Sequence, residues 1–299
     1  MGLIASLLVC TSGTAWALTA HRILTGPQDL LLPYQNTTYL GWTQNSTGGP
    51  RHYDAFARDL VTSARTRLNP GDTAGWMGGF DPGTNVAIYQ QVNGHRSGLY
   101  FYDLDTDTRL KVPGVNTKGW ERQPKISANF ILFVRDPLRP GMSRLILFDR
   151  NSSISSVIAS WDQSKATMWP GAVGDRYATW TVCGRECNAF YYDTLDDSTH
   201  KVRNRSGKPQ YSPVIDENRS TLYFVRSGFG CGVNVTIRGQ ALGTGTSDAI
   251  ADLPEGVDTD WSMSLTLNAV SGDMDLLFDR FRCAQGEGDI YALRSVDTA

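Results

Sequence analysis

Short apolar runs of strand length recur along this chain, and long helical patterns are few. Six of the runs end in an aromatic residue: Tyr39-Leu-Gly-Trp42, Val86-Ala-Ile-Tyr89, Ile131-Leu-Phe133, Tyr177-Ala-Thr-Trp180, Leu222-Tyr-Phe224 and Leu276-Leu-Phe278. The closing aromatics lie 47, 44, 47, 44 and 54 residues apart. A second strand follows each, over 52–56, 98–102, 144–148, 188–192, 233–237 and 289–293. Polar turns lead on to weaker strands such as Thr108-Arg-Leu-Lys-Val112, and small-residue strands such as Gln123-Pro-Lys-Ile-Ser127 precede the aromatics.

Four strands in a unit of about 45 residues make the blade of a β-propeller, because each blade buries its apolar faces only against its neighbours. The pattern predicts an all-β fold: one six-bladed propeller of four-stranded antiparallel blades over residues 21–299. The last unit stops short, since only six residues follow Leu293. Arg22-Ile-Leu-Thr-Gly26 matches the outer strands Arg67–Gly71 and Leu110–Gly114, so the mature N-terminus is expected to complete the sixth blade and close the ring.

These repeats resemble those of the TolB-like propellers, a WD40-like repeat family, in Trp120-Glu-Arg-Gln-Pro-Lys-Ile-Ser-Ala-Asn-Phe-Ile-Leu-Phe-Val-Arg135 with Leu147-Phe-Asp149. Tyr211-Ser-Pro-Val-Ile-Asp216 with Leu222-Tyr-Phe-Val-Arg226 follows the same pattern. The first blade departs from it, lacking the Pro-x-Ile-Ser strand. The chain is also similar to exported bacterial proteins carrying TolB-like repeats. The resemblance implies fold and export, and leaves activity open because function belongs to a site.

Composition supports this fold and narrows the partners. Thirty glycines and 10% aromatics suit a turn-rich β protein. Lys and Arg number 28 against 30 Asp and Glu, a balance that excludes a broadly basic nucleic-acid binder. Residues 1–20 read as a secretory signal peptide, with the apolar run Leu3–Val9 and cleavage after Ala17 or Ala20. No basic residue precedes Arg22, and Leu7-Leu-Val-Cys10 only superficially matches a lipidation box. No run is long enough for a transmembrane helix, so a soluble, secreted or periplasmic monomer is expected. Six glycosylation sequons begin at Asn36, Asn45, Asn151, Asn204, Asn218 and Asn234, and matter only in a eukaryotic host.

Removal of Cys10 leaves four cysteines. Cys183 and Cys187 would staple a hairpin tip, and Cys231 and Cys283 then pair by elimination; the rival is a zinc site of four thiolates. No other metal or cofactor is expected. His21, His52, His95 and His200 show no ligand spacing, and Asp103-Leu-Asp105-Thr-Asp107 sits where blades turn between strands. Gly243-Thr-Gly-Thr-Ser247 is a glycine-rich loop with no helix after it. Arg135, Arg226 and Arg280 end anchor strands, where they would pair with Asp136 and Asp279 or ring an anion.

Trp76, Trp120, Trp169, Tyr211 and Trp261 form a second aromatic ladder upstream of the anchors. They are either a ligand platform at one channel mouth, for a protein, peptide or carbohydrate, or wedges between blades. The binding module leads. The alternative is an exported polysaccharide lyase or glycoside hydrolase, for which Glu121, Asp258 and Asp260 are the candidate carboxylates.

Overall fold

The computed structural model describes residues 18–25, 29–45, 53–204, 206–259, 263–267, 273–283, 288–294 and 296. The predicted signal peptide up to Ala17, His52, Asp260 and Trp261 lie outside the described residues. The chain opens with β1 (Ala20–Leu24) and then builds blade 1 from β2 (Leu30–Gln35), β3 (Tyr39–Asn45), β4 (Tyr53–Asp59) and β5 (Arg65–Arg67). Blade 2 is β6 (Ala74–Phe80), β7 (Val86–Asn93), β8 (Arg96–Asp103) and β9 (Thr108–Lys111). Blade 3 is β10 (Trp120–Ile126), β11 (Phe130–Asp136), β12 (Met142–Asp149) and β13 (Ile154–Asp162). Blade 4 is β14 (Thr167–Val173), β15 (Tyr177–Cys183), β16 (Cys187–Asp193) and β17 (Ser198–Lys201). Blade 5 is β18 (Gln210–Asp216), β19 (Thr221–Arg226), β20 (Thr236–Ala241) and β21 (Asp248–Asp252). Blade 6 takes its inner edge from β22 (Val257–Asp258) and β23 (Met263–Leu267), both paired to β24 (Met274–Arg282), followed by β25 (Gly288–Leu293).

Each sheet is an antiparallel meander, and β1 joins blade 6 as its outermost strand. Its register runs Ala20 with Leu293, His21 with Ala292, Arg22 with Tyr291 and Leu24 with Ile290. The ring is thus closed by the N-terminal strand beside Gly288–Leu293, as its match to the outer strands of blades 1 and 2 predicts. The strand begins two residues before Arg22, and the Leu18 N–H also bonds the Ile250 carbonyl in blade 5 at 2.9 Å.

Six clusters of buried side chains, one per blade interface, make up the core among the described residues. Trp42, Tyr89, Phe133, Trp180, Phe224 and Phe278 are all buried, one to each cluster. Each packs against the preceding blade, so the repeat spacing follows from interface geometry. Small hydroxyls stitch the same seams. The Met77 N–H donates to Thr43 Oγ1 at 2.8 Å, the Ser212 N–H to Thr181 Oγ1 at 3.2 Å, and Ser264 Oγ to the Pro33 carbonyl at 2.7 Å.

One strand differs from its expected place. The sequence put blade 5's third strand at Val233–Ile237, whereas β20 starts at Thr236. Gly232 and Asn234 adopt left-handed backbone (φ 68° and 47°), which turns the chain and delays pairing. Both expected disulfides are present. Cys183–Cys187 spans the β15–β16 tip with Cα atoms 4.0 Å apart, and Cys231–Cys283 joins blades 5 and 6 at 5.9 Å.

Candidate functional site

Every innermost strand of blades 1 to 5 breaks register midway: at Leu31/Tyr34, Met77/Gly79, Arg122/Lys125, Pro170/Val173 and Tyr211/Val214. The extra residues bend each strand, and Leu32, Gln123 and Ser212 sit in left-handed backbone at these bulges (φ 53°, 53° and 52°). Past the bulges the inner strands surround a cavity of about 1070 Å³. All six blades reach it, for example through Tyr34, Phe80, Lys125, Ala172, Val214 and Met263. Its mouth lies where the inner strands end, and Asp103 and Asp105 stand at the rim.

Lys125 is the cation of this wall. It is 5% exposed, donates to the Tyr34 hydroxyl, and holds Nζ 4.8 Å from the centre of the Tyr34 ring. No carboxylate lies within ion-pair distance of Lys125 among the described residues. A buried ammonium without a counter-charge is costly unless water or a ligand solvates it. The cavity wall therefore mixes apolar side chains with polar ones, such as Thr179, Ser264 and Thr266, around one buried ammonium. Sequence reasoning passed over Lys125; the signal was a lysine in the small-residue strand where blades 2 and 5 carry Gly79 and Val214.

The aromatic ladder lies at the opposite, starting end of the inner strands, and none of its described members lines the cavity. Trp76, Trp169 and Tyr211 share one register place, each opposite the residue after the buried anchor: Gln90, Thr181 and Val225. In blade 3 that place belongs to Arg122, opposite Val134, and Trp120 falls two residues further out, opposite Asp136. Trp120 is accordingly 40% exposed, while Tyr211 is 4% exposed. Trp76 packs on Tyr53 of blade 1 at 5.5 Å between ring centres, a contact across a blade seam. The Tyr211 hydroxyl donates to Asp258 Oδ1 at 2.8 Å, and burial, with Asp258 beside it, raises its pKa far above the ordinary tyrosine value.

Of the nominated carboxylates, Glu121 and Asp258 are among the described residues and both serve the frame. Glu121 is fully buried and accepts from Thr117 Oγ1 at 2.5 Å and Arg135 Nε at 3.0 Å. Asp258 also accepts from the Gly232 and Thr259 amides, both at 2.9 Å. The expected surface pairing of Arg135 with Asp136 is replaced by that Glu121 contact, and Asp136 instead takes Arg122 at 2.6 Å. Asp279 is fully buried rather than a surface partner, and Arg280 lies over Tyr291 at 4.9 Å. Cross-strand neighbours decide these partners, and sequence adjacency does not. Asp103 accepts the Asp105 and Thr106 amides at 2.9 and 3.3 Å, the hairpin-turn role read from the sequence. His200 stacks on Tyr191 at 4.7 Å; His21 and His95 are exposed. Among the described residues, the trio able to offer three metal-ligand atoms is Cys231, Asp258 and Cys283, whose two sulfurs are joined in the disulfide.

No protein-family model and no curated protein sequence matches the chain. Solved structures do. TolB from Acinetobacter baumannii superposes with a TM-score of 0.59 at 12% identity, covering 88% of this chain and 66% of that one. The fold is a six-bladed propeller similar to TolB. A putative TolB from Agrobacterium tumefaciens gives 0.59 at 12% identity over 90% of this chain and 91% of that one. An oligogalacturonate lyase in complex with manganese gives 0.56 at 14% identity, covering 94% and 98% of the two chains. At such identities the TolB-like likeness concerns the fold alone. The two disulfides suit an oxidising, extracytoplasmic compartment, and no helix among the described residues is long and apolar enough to cross a membrane.

Proposed function

We propose that this protein is an exported binding module whose ligand, a peptide or a carbohydrate, enters the central cavity. The observation that carries this reading is the cavity of about 1070 Å³ with Lys125 in its wall. Its size matches small-ligand sites, which run to roughly 1,000 Å³, and it joins apolar wall to a few convergent polar groups. The signal peptide would end at Ala17, because cleavage there leaves the whole closing strand in place. Trp120, exposed at the other mouth, offers a second docking point.

The lyase or glycosidase reading has less support. It needs carboxylates or metal ligands converging on one space, and Glu121 and Asp258 are each tied into the frame away from the cavity. The manganese of the similar lyase structure is a property of that protein.

Glycan and peptide arrays probed with the parent, Lys125→Met and Trp120→Ala test the proposal. Binding by the parent that Lys125→Met loses and Trp120→Ala keeps is the expected result. Loss in Trp120→Ala alone would move the site to the aromatic mouth. A parent that captures nothing on either array sinks the binding-module reading.

A further inference from the structure

Blades 3 and 5 carry the same arginine in the same register with different neighbours. Glu121 stands opposite Arg135 and accepts its Nε; Gln210 stands opposite Arg226. The counter-charge is thus missing in blade 5, and the Arg226 Nε is buried with no acceptor. A second guanidinium has been added beside it. Arg238 Nε donates to Ser247 Oγ at 2.9 Å and its Nη2 to the Ser247 carbonyl, while Arg226 Nη2 reaches the same Oγ at 3.4 Å. Neither arginine forms an ion pair among the described residues, although Asp248 is next in the chain. Burial and the charge of Arg238 both lower the pKa of Arg226, as expected for like charges held together.

The loop over this pair is the glycine-rich Gly243-Thr-Gly-Thr-Ser247, with Gly243 and Gly245 in left-handed backbone (φ 83° and 70°). A Cβ at Gly245 would come within 3.0 Å of Arg203 Cδ, so glycine there lets the loop lie against a third arginine. Three cationic side chains therefore meet at one surface loop, and a neutral hydroxyl is the shared partner of two of them.

We infer that Arg226, Arg238 and the 242–247 loop form a surface site for a tetrahedral oxyanion, the phosphate or sulfate group of a ligand. Two neighbouring guanidinium groups sharing one hydroxyl suit a tetrahedral group, whereas one fork satisfies a planar carboxylate. The site is independent of the central cavity.

Calorimetric titration of the full chain with sodium phosphate and sodium sulfate at constant ionic strength tests this, with sodium acetate as the planar comparison. Saturable binding of phosphate or sulfate, with acetate about tenfold weaker or more, is expected. The relative strength of the two anions separates a phosphorylated from a sulfated ligand. Gln210→Glu restores the carboxylate that blade 3 uses, so it should melt no lower than the parent and bind the anion about tenfold more weakly. Arg238→Gln should weaken binding equally with an unchanged circular dichroism spectrum. No saturable binding of either tetrahedral anion by the parent overturns the site. So does an affinity left unchanged in Arg238→Gln or in a folded Gln210→Glu, or acetate binding as tightly as phosphate.

Discussion

Tyr211 and Trp120 looked alike in the sequence and differ by what lies across the strand from each. Tyr211 is buried and supplies Asp258 with a hydroxyl donor. Tyr211→Phe should therefore cost about 1–3 kcal/mol, since a buried carboxylate loses one of its three donors. Trp120→Ala should cost less than the about 3–5 kcal/mol of a fully buried tryptophan, because the residue is 40% exposed. Thermal melting of the two variants checks both, and a larger loss in Trp120→Ala would make it a wedge after all. The ladder was legible as a spacing of aromatics; its register was not. The hairpin between inner and anchor strands is two residues shorter in blade 3 than in blade 5, so equal spacing from the anchor lands on different cross-strand partners. Acid stability also belongs at this scale. Arg176 grips Asp193 through Nε at 2.9 Å and Nη2 at 2.6 Å, and this pairing holds the carboxyl below its ordinary value of 3.8. A folded-state pKa below the unfolded one gives stability that is complete at neutral pH and lost as pH falls through the folded value. Asp193→Asn should flatten the fall in urea midpoint between about pH 5 and about pH 2, and an unchanged acid limb would assign that fall to other carboxylates.

At the scale of strands, the anchors and their partners were legible because interface burial forces an aromatic or large apolar side chain at one place per blade. The bulges of the inner strands were not. Leu32, Gln123 and Ser212 adopt left-handed backbone with no glycine to announce it, and the preceding blade's Gln90 amide oxygen and Thr181 hydroxyl accept the Gln123 and Ser212 N–H groups. The cystine pairing was legible by position, and its energetic weight follows from loop length. The Cys231–Cys283 bridge closes 52 residues and the Cys183–Cys187 bridge closes 4. Loop entropy then gives about 4 kcal/mol for the first and about 2 kcal/mol for the second. Replacing Cys231 and Cys283 by Ser should lower the denaturation midpoint more than replacing Cys183 and Cys187. Equal losses would mean that the blade 5–6 seam holds without its covalent tie.

For the whole molecule, the ring and its closure follow from counting strands, while the cavity does not. Its volume depends on how far the inner strands lean into the channel, which no local pattern encodes. Lys125 became visible as a candidate only once six strands stood around it. Closure itself makes the last prediction. β1 covers the edge of β25, and Ile23 and Leu24 pack on the cluster that joins blades 6 and 1 with Trp42 and Ile290. Deleting residues 18–25 removes those ladder hydrogen bonds, each worth about 0.5–1.5 kcal/mol, and uncovers an apolar seam. It also leaves β25 as an open edge, which invites pairing with a second copy. The truncated chain should melt well below the parent and elute from size exclusion as dimers or larger species. Deleting 18 and 19 alone, which leaves the Ala20–Leu293 pair in place, should change the melting point only slightly. A truncated chain that stays monomeric and keeps its melting point would show that five blades and an open sixth already hold the ring, and that the N-terminal strand is an ornament rather than the latch.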